Sequence, residues 1–372
     1  MKAVILIGAL DILRPLTLSL PQPLVEFCNK TLLLHQLEAL KAAGVQDVVL
    51  CVNEKNLPKT WNEVISQYEA ELGMRIQVSM ETSSLGTAGP LKLAQGLITN
   101  DGSSQEPFFV LNGDVLCSFP LKDMIHVHMK HKGVGTIMTT RNAQPSRYGV
   151  VVGDIKTGKI EHFVNRPETF VSDLINAGLY IFNPSIFDRL PGQGEKASMN
   201  AVLPALATED LLFHFESHGY WVKMTDVRTF LSAVGPQLEM MRLLEPQKLA
   251  PHTVAAVPAS TQIVGNVLIA DSAIIGENCK IGPDVVIGPN CVLESGVRLQ
   301  DTTLFSGVTV GNHALVHDSV IGWNSRIGGW AWLTSAVLAE DVTVKQGTLV
   351  NGATVLPHKE LTINVREPQI II

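Results

Sequence analysis

The apolar positions of this chain keep two different periods, and the change falls between residues 240 and 263. In the first part, short apolar runs alternate with helical patterns. Val4–Ile7 is continuously aliphatic and predicts a buried strand. Residues 31–43 place Leu33, Leu37 and Leu40 on one helical face, with Gly44 as the C-terminal stop. Asp47–Val52 predicts the next strand, residues 61–72 a helix, Arg75–Ser79 a strand and Ala88–Leu97 a helix. Phe108–Asn112 is a continuously apolar strand that ends in Gly113-Asp114. Strands alternating with helices predict an α/β domain built on a parallel sheet. Ligands of such sheets bind beyond the carboxyl ends of the strands, which is where Gly8 and Asp114 fall.

From about residue 263 the period becomes six. Ile269, Ile275, Ile281, Ile287, Leu293 and Leu299 follow one another at that spacing. After a one-residue contraction the count resumes at Leu304, Val310 and Val316, again at Ile321 and Ile327, and finally at Leu338, Val344, Val350 and Leu356. Six residues per short strand and turn predict a left-handed parallel β-helix with these aliphatics in its core. A helix of 3.6 residues per turn cannot hold that count. Residues 241–262 carry Pro246, Pro251 and Pro258 and read as a connection, with Met240–Leu249 a short helix before the prolines. The expected organisation is 1–240, a linker at 241–262, and 263–372.

Composition narrows the function. Of 372 residues, 46% are hydrophobic and 17% charged, which suits two well-filled domains and excludes disorder. A net charge of −7 with scattered Lys and Arg offers no general attraction for nucleic acid or an anionic membrane. No run approaches the roughly 20 apolar residues that span a bilayer. The N-terminal apolar run is too short for a secretory signal. The five cysteines are far apart and lack Cys-x-x-Cys spacing. A cytoplasmic chain with reduced thiols, no cysteine zinc site, no nucleic acid and no membrane is expected.

Two clusters have more than one reading. His126, His128 and His131 fall on a predicted helix, Leu121–Lys132, with no carboxylate-rich partner strand, so a solvated helix face is expected over a metal site. Trp323, Trp330 and Trp332 interrupt the count of six, either as a loop packed on the core or as an exposed flank that makes subunit contacts.

Several longer motifs resemble one family. They are Leu13-Arg14-Pro15-Leu16-Thr17, Leu24-Val25-Glu26-Phe27-Cys28-Asn29-Lys30, Leu85-Gly86-Thr87-Ala88-Gly89-Pro90-Leu91, Tyr148-Gly149-Val150 and Ile175-Asn176-Ala177-Gly178. Near the end, Ile321-Gly322-Trp323 and Leu356-Pro357-His358-Lys359 continue the match. Together they are similar to the GDP-mannose pyrophosphorylase (mannose-1-phosphate guanylyltransferase) family over essentially the whole chain, and to its beta-type subunit more than its alpha-type. The resemblance implies a Rossmann-like nucleotidyltransferase domain with a mostly parallel sheet, followed by a left-handed parallel β-helix of hexapeptide repeats. It implies a reaction in which mannose-1-phosphate attacks the α-phosphorus of GTP, giving GDP-mannose and pyrophosphate, with Mg²⁺ held by carboxylates. Carried over residue by residue, it puts the nucleotide at Gly8, Leu85, Gly86, Thr87, Ala88 and Gly89. The sugar phosphate falls at Gly149, Arg166, Asn176 and Gly178, and the metal at Asp114. Arg14 and Gln22 are the remnants of the family's phosphate-handling groups.

The departures from the family pattern fall on the chemistry. Gly8-Ala9-Leu10-Asp11-Ile12-Leu13-Arg14 is one residue shorter than the family's glycine-rich phosphate turn and lacks its second and third glycines. Leu10 and Ile12 do not supply the positive φ that glycine does, and Asp11 adds negative charge where phosphates would lie. Gln22 stands for a lysine, Asn165-Arg166 for Glu-Lys, and Asn200-Ala201 for an acidic stretch. Lys223 stands for the aspartate that is the family's second metal ligand. The chain is therefore expected to be impaired in catalysis, a pseudoenzyme that binds nucleotide sugar as a regulatory or assembly subunit. A homo-oligomer, or a hetero-oligomer with an active family subunit, is expected. The alternative is an active guanylyltransferase supplying GDP-mannose for glycosylation.

Overall fold

The computed structural model describes residues 1–8, 12–54, 57, 60–99, 106–154, 156–251 and 256–372. The chain forms two compact units, residues 1–9 with 33–223, and residues 10–32 with 224–372.

The first unit is built on a nine-stranded sheet. Its central strand, Lys2–Leu6, is buried along its whole length. It lies parallel between Asp47–Asn53 and Phe108–Asn112, with Val4 opposite both Val49 and Val110. Arg75–Glu81 extends this parallel run at its edge. Near-continuous β-branched and aromatic runs such as these belong to strands covered on both faces. Beyond Phe108–Asn112 the sheet changes character. Leu174–Phe182 pairs antiparallel with that strand, and the hairpin of Gly149–Gly153 and Ile160–Asn165 follows it. Gly135–Arg141 also pairs antiparallel with Leu174–Phe182 and carries Leu212–Glu216 as a parallel neighbour. The register slips between Asn176 and Tyr180, where Gly178 has φ +81°. That bulge bends the strand at the sheet's carboxyl end.

Two expected helices are revised. Residues 88–97 divide into Ala88–Leu93 and Gln95–Thr99, with Ala94 closing the first and Gly96 weakening continuity. The histidine-bearing helix is Leu121–His128, ending before the expected Lys132. His128 is buried rather than solvated. The Gly133 amide donates to His131 Nδ1, which leaves His131 Nε2–H to donate to Thr136 Oγ1 at 2.7 Å. Thr136 donates in turn to His128 Nδ1 at 2.8 Å, and His128 Nε2 to Asn183 Oδ1 at 3.3 Å. Asn183 Nδ2 closes the ring on the Gly133 carbonyl. Each histidine is thereby a neutral link, and His131 stacks on Phe213 at 3.9 Å.

The second unit is a parallel β-helix. Lys280, Arg298, Leu315, Trp332 and Leu349 stand in one column, each paired with the next. The step is 18 residues from Lys280 to Arg298 and 17 from Arg298 onward, because one side of each later coil spans five residues instead of six. Those short sides are Leu299–Leu304, Val316–Ile321, Leu333–Leu338 and Val350–Val355, and all eight end residues are buried. Asp301, Asp318, Ser335 and Gly352 turn their corners with positive φ. The contraction that restarts the sequence count at Leu304, Ile321 and Leu338 therefore recurs in the last coil too, where the count had kept six. It puts Val355 in the core where Leu356 was expected, and Leu356 is only half-buried.

Residues 10–32 pack in this unit. Phe27 meets Phe230 edge-on at 5.3 Å, Phe230 meets Phe305, and Phe305 stacks on Trp323 at 4.5 Å. Trp323 Nε1 donates to Glu26 Oε2 at 3.1 Å, and Asn29 Nδ2 to the Ile287 carbonyl at 3.0 Å. Phe230 sits on Val227–Leu244, an 18-residue helix started by an Asp226–Thr229 capping box. Met240–Leu249, expected as a short helix, is the end of this one followed by a 3-10 turn. The division by packing falls at residue 223/224. Trp323 is a packing residue, whereas Trp330 and Trp332 are exposed.

Candidate functional site

At the carboxyl end of Phe108–Asn112 the chain turns through Gly113-Asp114 into Val115–Cys117. Trp221–Lys223 pairs antiparallel with this short strand, and the register sets Lys223 opposite Val115. Lys223 Nζ consequently lies 3.4 Å from Asp114 Oδ2. Asp114 Oδ1 is buried and has no hydrogen-bond partner. Burial pushes the Asp114 carboxyl above the usual carboxylate range, and the Lys223 ammonium opposes that shift.

Beside this pair is a cavity of about 230 Å³ whose lining includes Thr87, Arg147, Arg166, Asn176, Asn200 and Lys223. Backbone geometry shapes it closely. Gly149 faces Phe163, whose ring would lie 2.5 Å from any Cβ at that position. Gly178 combines positive φ with the Asn112 amide 2.5 Å from where a Cβ would stand. Its N–H donates to Asn176 Oδ1 at 3.0 Å. Asn176 Nδ2 donates to the Tyr180 hydroxyl at 2.9 Å, and burial pushes that phenol up to about 12. Asn200 Nδ2 donates to Asn165 Oδ1 at 3.1 Å. Arg166 is held at φ +49° by its N–H bond to the Tyr148 carbonyl, a conformation non-glycine residues rarely adopt. The Trp221 indole donates to the Ala177 carbonyl at 2.8 Å and meets Tyr148 edge-on.

The loop from Leu85 to Gly89 is tied to the same rim. Leu85 N–H donates to Glu81, Thr87 and Ala88 donate to the Ala197 carbonyl, and Thr87 Oγ1 accepts from the Met199 amide at 2.8 Å. Gly86 has φ +80° with the Ala197 carbonyl 2.3 Å from an added Cβ, so no other residue fits there without displacing the Ala197 backbone.

Of the residues expected from sequence, Thr87, Gly149, Arg166, Asn176 and Gly178 line one cavity, with Lys223 and Asp114 at its side. Leu85, Gly86, Ala88 and Gly89 form the adjoining loop. Gly8 is exposed just past the central strand, while Ala9, Leu10 and Asp11 of the expected phosphate turn lie outside the described residues. Arg14 and Gln22 belong to the second unit, where Arg14 is exposed and Gln22 buried. Arg147, Tyr148 and Trp221 line the cavity without having been expected as site residues. The signal for Arg147 was its place directly before the Tyr148-Gly149 motif.

Three cations, Arg147, Arg166 and Lys223, line this cavity, and no carboxylate is among the lining residues. The arrangement suits an anion of phosphate type, held by fork-shaped guanidinium groups and a point-charge ammonium. It does not fit Mg²⁺. One carboxylate is present, its free partner is an ammonium, and among the described residues no group of three or more His, Cys, Asp or Glu could hold a metal. No helix among the described residues is long and apolar enough to cross a membrane.

Comparison with known proteins places these features. A nucleotidyl transferase family profile matches residues 2–235, and that of the GMPPB C-terminal domain matches residues 263–371. The mannose-1-phosphate guanylyltransferase catalytic subunit beta of Dictyostelium discoideum is 44% identical over 375 residues, covering 100% of both chains. Mannose-1-phosphate guanylyltransferase 1 of Arabidopsis thaliana is 44% identical and the mannose-1-phosphate guanyltransferase of Schizosaccharomyces pombe 45% identical, each over 100% of both chains. A crystal structure from Bacillus anthracis, described as a glucose-1-phosphate thymidylyltransferase, matches with a TM-score of 0.55. It is 19% identical and covers 63% of this chain and 93% of its own, a likeness of fold alone. Full-length identity at this level makes the chain a member of the GDP-mannose pyrophosphorylase (mannose-1-phosphate guanylyltransferase) family.

Proposed function

We propose that this chain binds the anionic ligands of its family, GDP-mannose or GTP with mannose-1-phosphate, at the Arg147–Arg166–Lys223 cavity, and that it is impaired in nucleotidyl transfer. The observation that carries this reading is the Lys223–Asp114 pair at 3.4 Å. An ammonium stands beside the carboxylate that would otherwise draw in a metal, and it neutralises that carboxylate while leaving Arg147 and Arg166 free to meet phosphate. The nucleotide is assigned to Gly8 and the Leu85–Gly89 loop, and the sugar phosphate to Gly149, Arg166, Asn176 and Gly178. The role that follows is regulatory or assembly, as a homo-oligomer or beside an active subunit of the family.

The test is pyrophosphate release with GTP, mannose-1-phosphate and Mg²⁺, run beside an active relative. Removing one donor to a developing oxyanion typically costs about 10²–10³ in rate, so turnover at least about 10²-fold lower is expected. Calorimetry with GDP-mannose should give the same affinity with and without EDTA. Turnover within tenfold of the relative overturns the reading. The chain is then a working guanylyltransferase, the activity for which its relatives are named.

A further inference from the structure

One face of the β-helix carries a feature that the guanylyltransferase reading does not use. Lys280 and Arg298 are register partners on neighbouring coils, with the same side-chain direction and both exposed. Like charges directly opposite on adjacent strands destabilise a sheet. Among the described residues, neither has a carboxylate within ion-pair distance. The same column continues through Leu315 to Trp332, whose indole is 55% exposed. Trp332 Nε1 donates to Thr334 Oγ1 at 3.0 Å, which fixes the plane of the ring. His317 lies in the neighbouring column of the same face, its buried Nδ1 3.8 Å from Asp301 Oδ2, so the one nearby carboxylate is turned to His317 and not to Lys280 or Arg298. These residues line a groove of about 430 Å³, within the size range of small-molecule sites, and no Asp or Glu is among its lining residues.

Coil spacing sets the dimensions. Trp332 is two rungs from Arg298 and three from Lys280, roughly 10 and 14 Å along the face at about 4.8 Å per rung. Those separations match the span from a purine base to the terminal phosphate of an extended nucleotide, once the reach of the Lys and Arg side chains is included. The geometry points to a nucleoside-diphosphate site on the β-helix face, with the base stacked on Trp332 and the phosphates held by Arg298 and Lys280. The two cations lie unbalanced side by side because their counter-charge is the ligand's. No group at the Trp332 end is arranged to read a base edge, so the site takes purine nucleoside diphosphates without choosing between guanine and adenine.

The experiment is equilibrium dialysis of labelled GDP and ADP against the full chain, its Trp332→Ala, Trp332→Phe and Arg298→Glu variants, and Arg166→Ala in the other unit. All three changes on the β-helix face fall at exposed positions, and melting curves check that folding is kept. GDP and ADP should saturate a site that Arg166→Ala leaves intact. Trp332→Ala should weaken it by about 5- to 100-fold, the usual cost of one base–aromatic stack, and Trp332→Phe should restore most of the loss. Arg298→Glu should abolish it and also abolish competition by inorganic pyrophosphate. A GDP stoichiometry and affinity unchanged in Arg298→Glu and Trp332→Ala overturn the proposal. So does a change in light-scattering mass in those variants without any change in GDP binding, which would mark the groove as a contact between copies of the chain. Loss of all binding in Arg166→Ala alone would also refute it, while leaving the cavity of the first unit as the ligand site.

Discussion

Replacing Lys223 by alanine leaves the Asp114 carboxyl largely buried, with its remaining oxygen still unpartnered. At 3.4 Å the gross attraction of the pair is about 5 kcal/mol for an effective dielectric near 20. Lys223 and Asp114 keep 35% and 22% of their side-chain exposure, so water screens the pair and the net coupling is about 1–2 kcal/mol. The change also removes the ammonium charge that opposes burial, so the Asp114 carboxyl rises further above its usual range. The sign of the pH effect follows. An unfolded aspartate loses its proton near pH 3.9, whereas the folded variant holds it to higher pH. Stability of the variant is then fullest below pH 3.9 and falls as pH rises toward the folded value. Relative to the parent chain, Lys223→Ala should be less impaired at pH 5 than at pH 7.5. The assay is urea unfolding of the parent, Lys223→Ala, Asp114→Asn and the double variant at both pH values. Asp114→Asn should rescue Lys223→Ala at pH 7.5, with a coupling of about 1–2 kcal/mol. Additive effects within about 0.3 kcal/mol would show that the two groups do not interact as argued.

Three further outcomes are expected. Burial holds His131 down to about 4 and lowers His128 as well. The unfolded chain takes up these protons below about pH 6.5 and the folded one does not. The first unit should therefore lose about 1–2 kcal/mol between pH 6.5 and 4, after allowance for a partly solvated ring, and urea midpoints across that window check it. Gly149→Ala drives a methyl into the Phe163 ring and should cost about 1–3 kcal/mol while weakening ligand binding, read by melting and calorimetry. Val355→Asp should unfold the last coils, whereas Leu356→Asp should cost less than about 1.5 kcal/mol, because only Val355 faces the core. Equal destabilisation by the two would contradict the five-residue side.

The sequence made the parallel strands and the aliphatic column legible because both rest on local periodicity. Val4, Val49 and Val110 are apolar on both sides of their strands whichever neighbour they meet, and Ile269–Leu299 keep one spacing through three sides of a coil. What failed was whatever depends on partners distant in sequence. The Val350–Val355 side is short because its corner stacks on Ser335, Asp318 and Asp301 of earlier coils, so one contraction had to be counted in each coil. His128 looks solvent-facing on a helical wheel and is buried because Thr136 and Asn183 close a ring on it. Trp323 resembles an exposed flank residue until residues 10–32 are seen against it through Glu26 and Phe305. At the candidate site, motifs located Gly149, Arg166, Asn176 and Gly178 together. Trp221 escaped because its place comes from strand pairing, which no single motif encodes, and Arg147 because it sits in the turn just ahead of the Tyr148-Gly149 motif.

The replacements at this site are coherent with one another. Asn165 and Asn200, standing where the family pattern has acidic residues, join by an amide hydrogen bond of 3.1 Å. Two carboxylates at that separation would repel unless a proton or cation lay between them. Asn200 also accepts from Asn176, which positions the Gly178 amide, so a single return to glutamate would place a charge inside a network arranged for neutral amides. Lys223 neutralises the one carboxylate that remains, and Arg147 and Arg166 complete a cavity whose balance is positive without any metal. Taken together these replacements leave Asn165, Asn176 and Asn200 joined by amide hydrogen bonds, beside a lining whose charge favours anions.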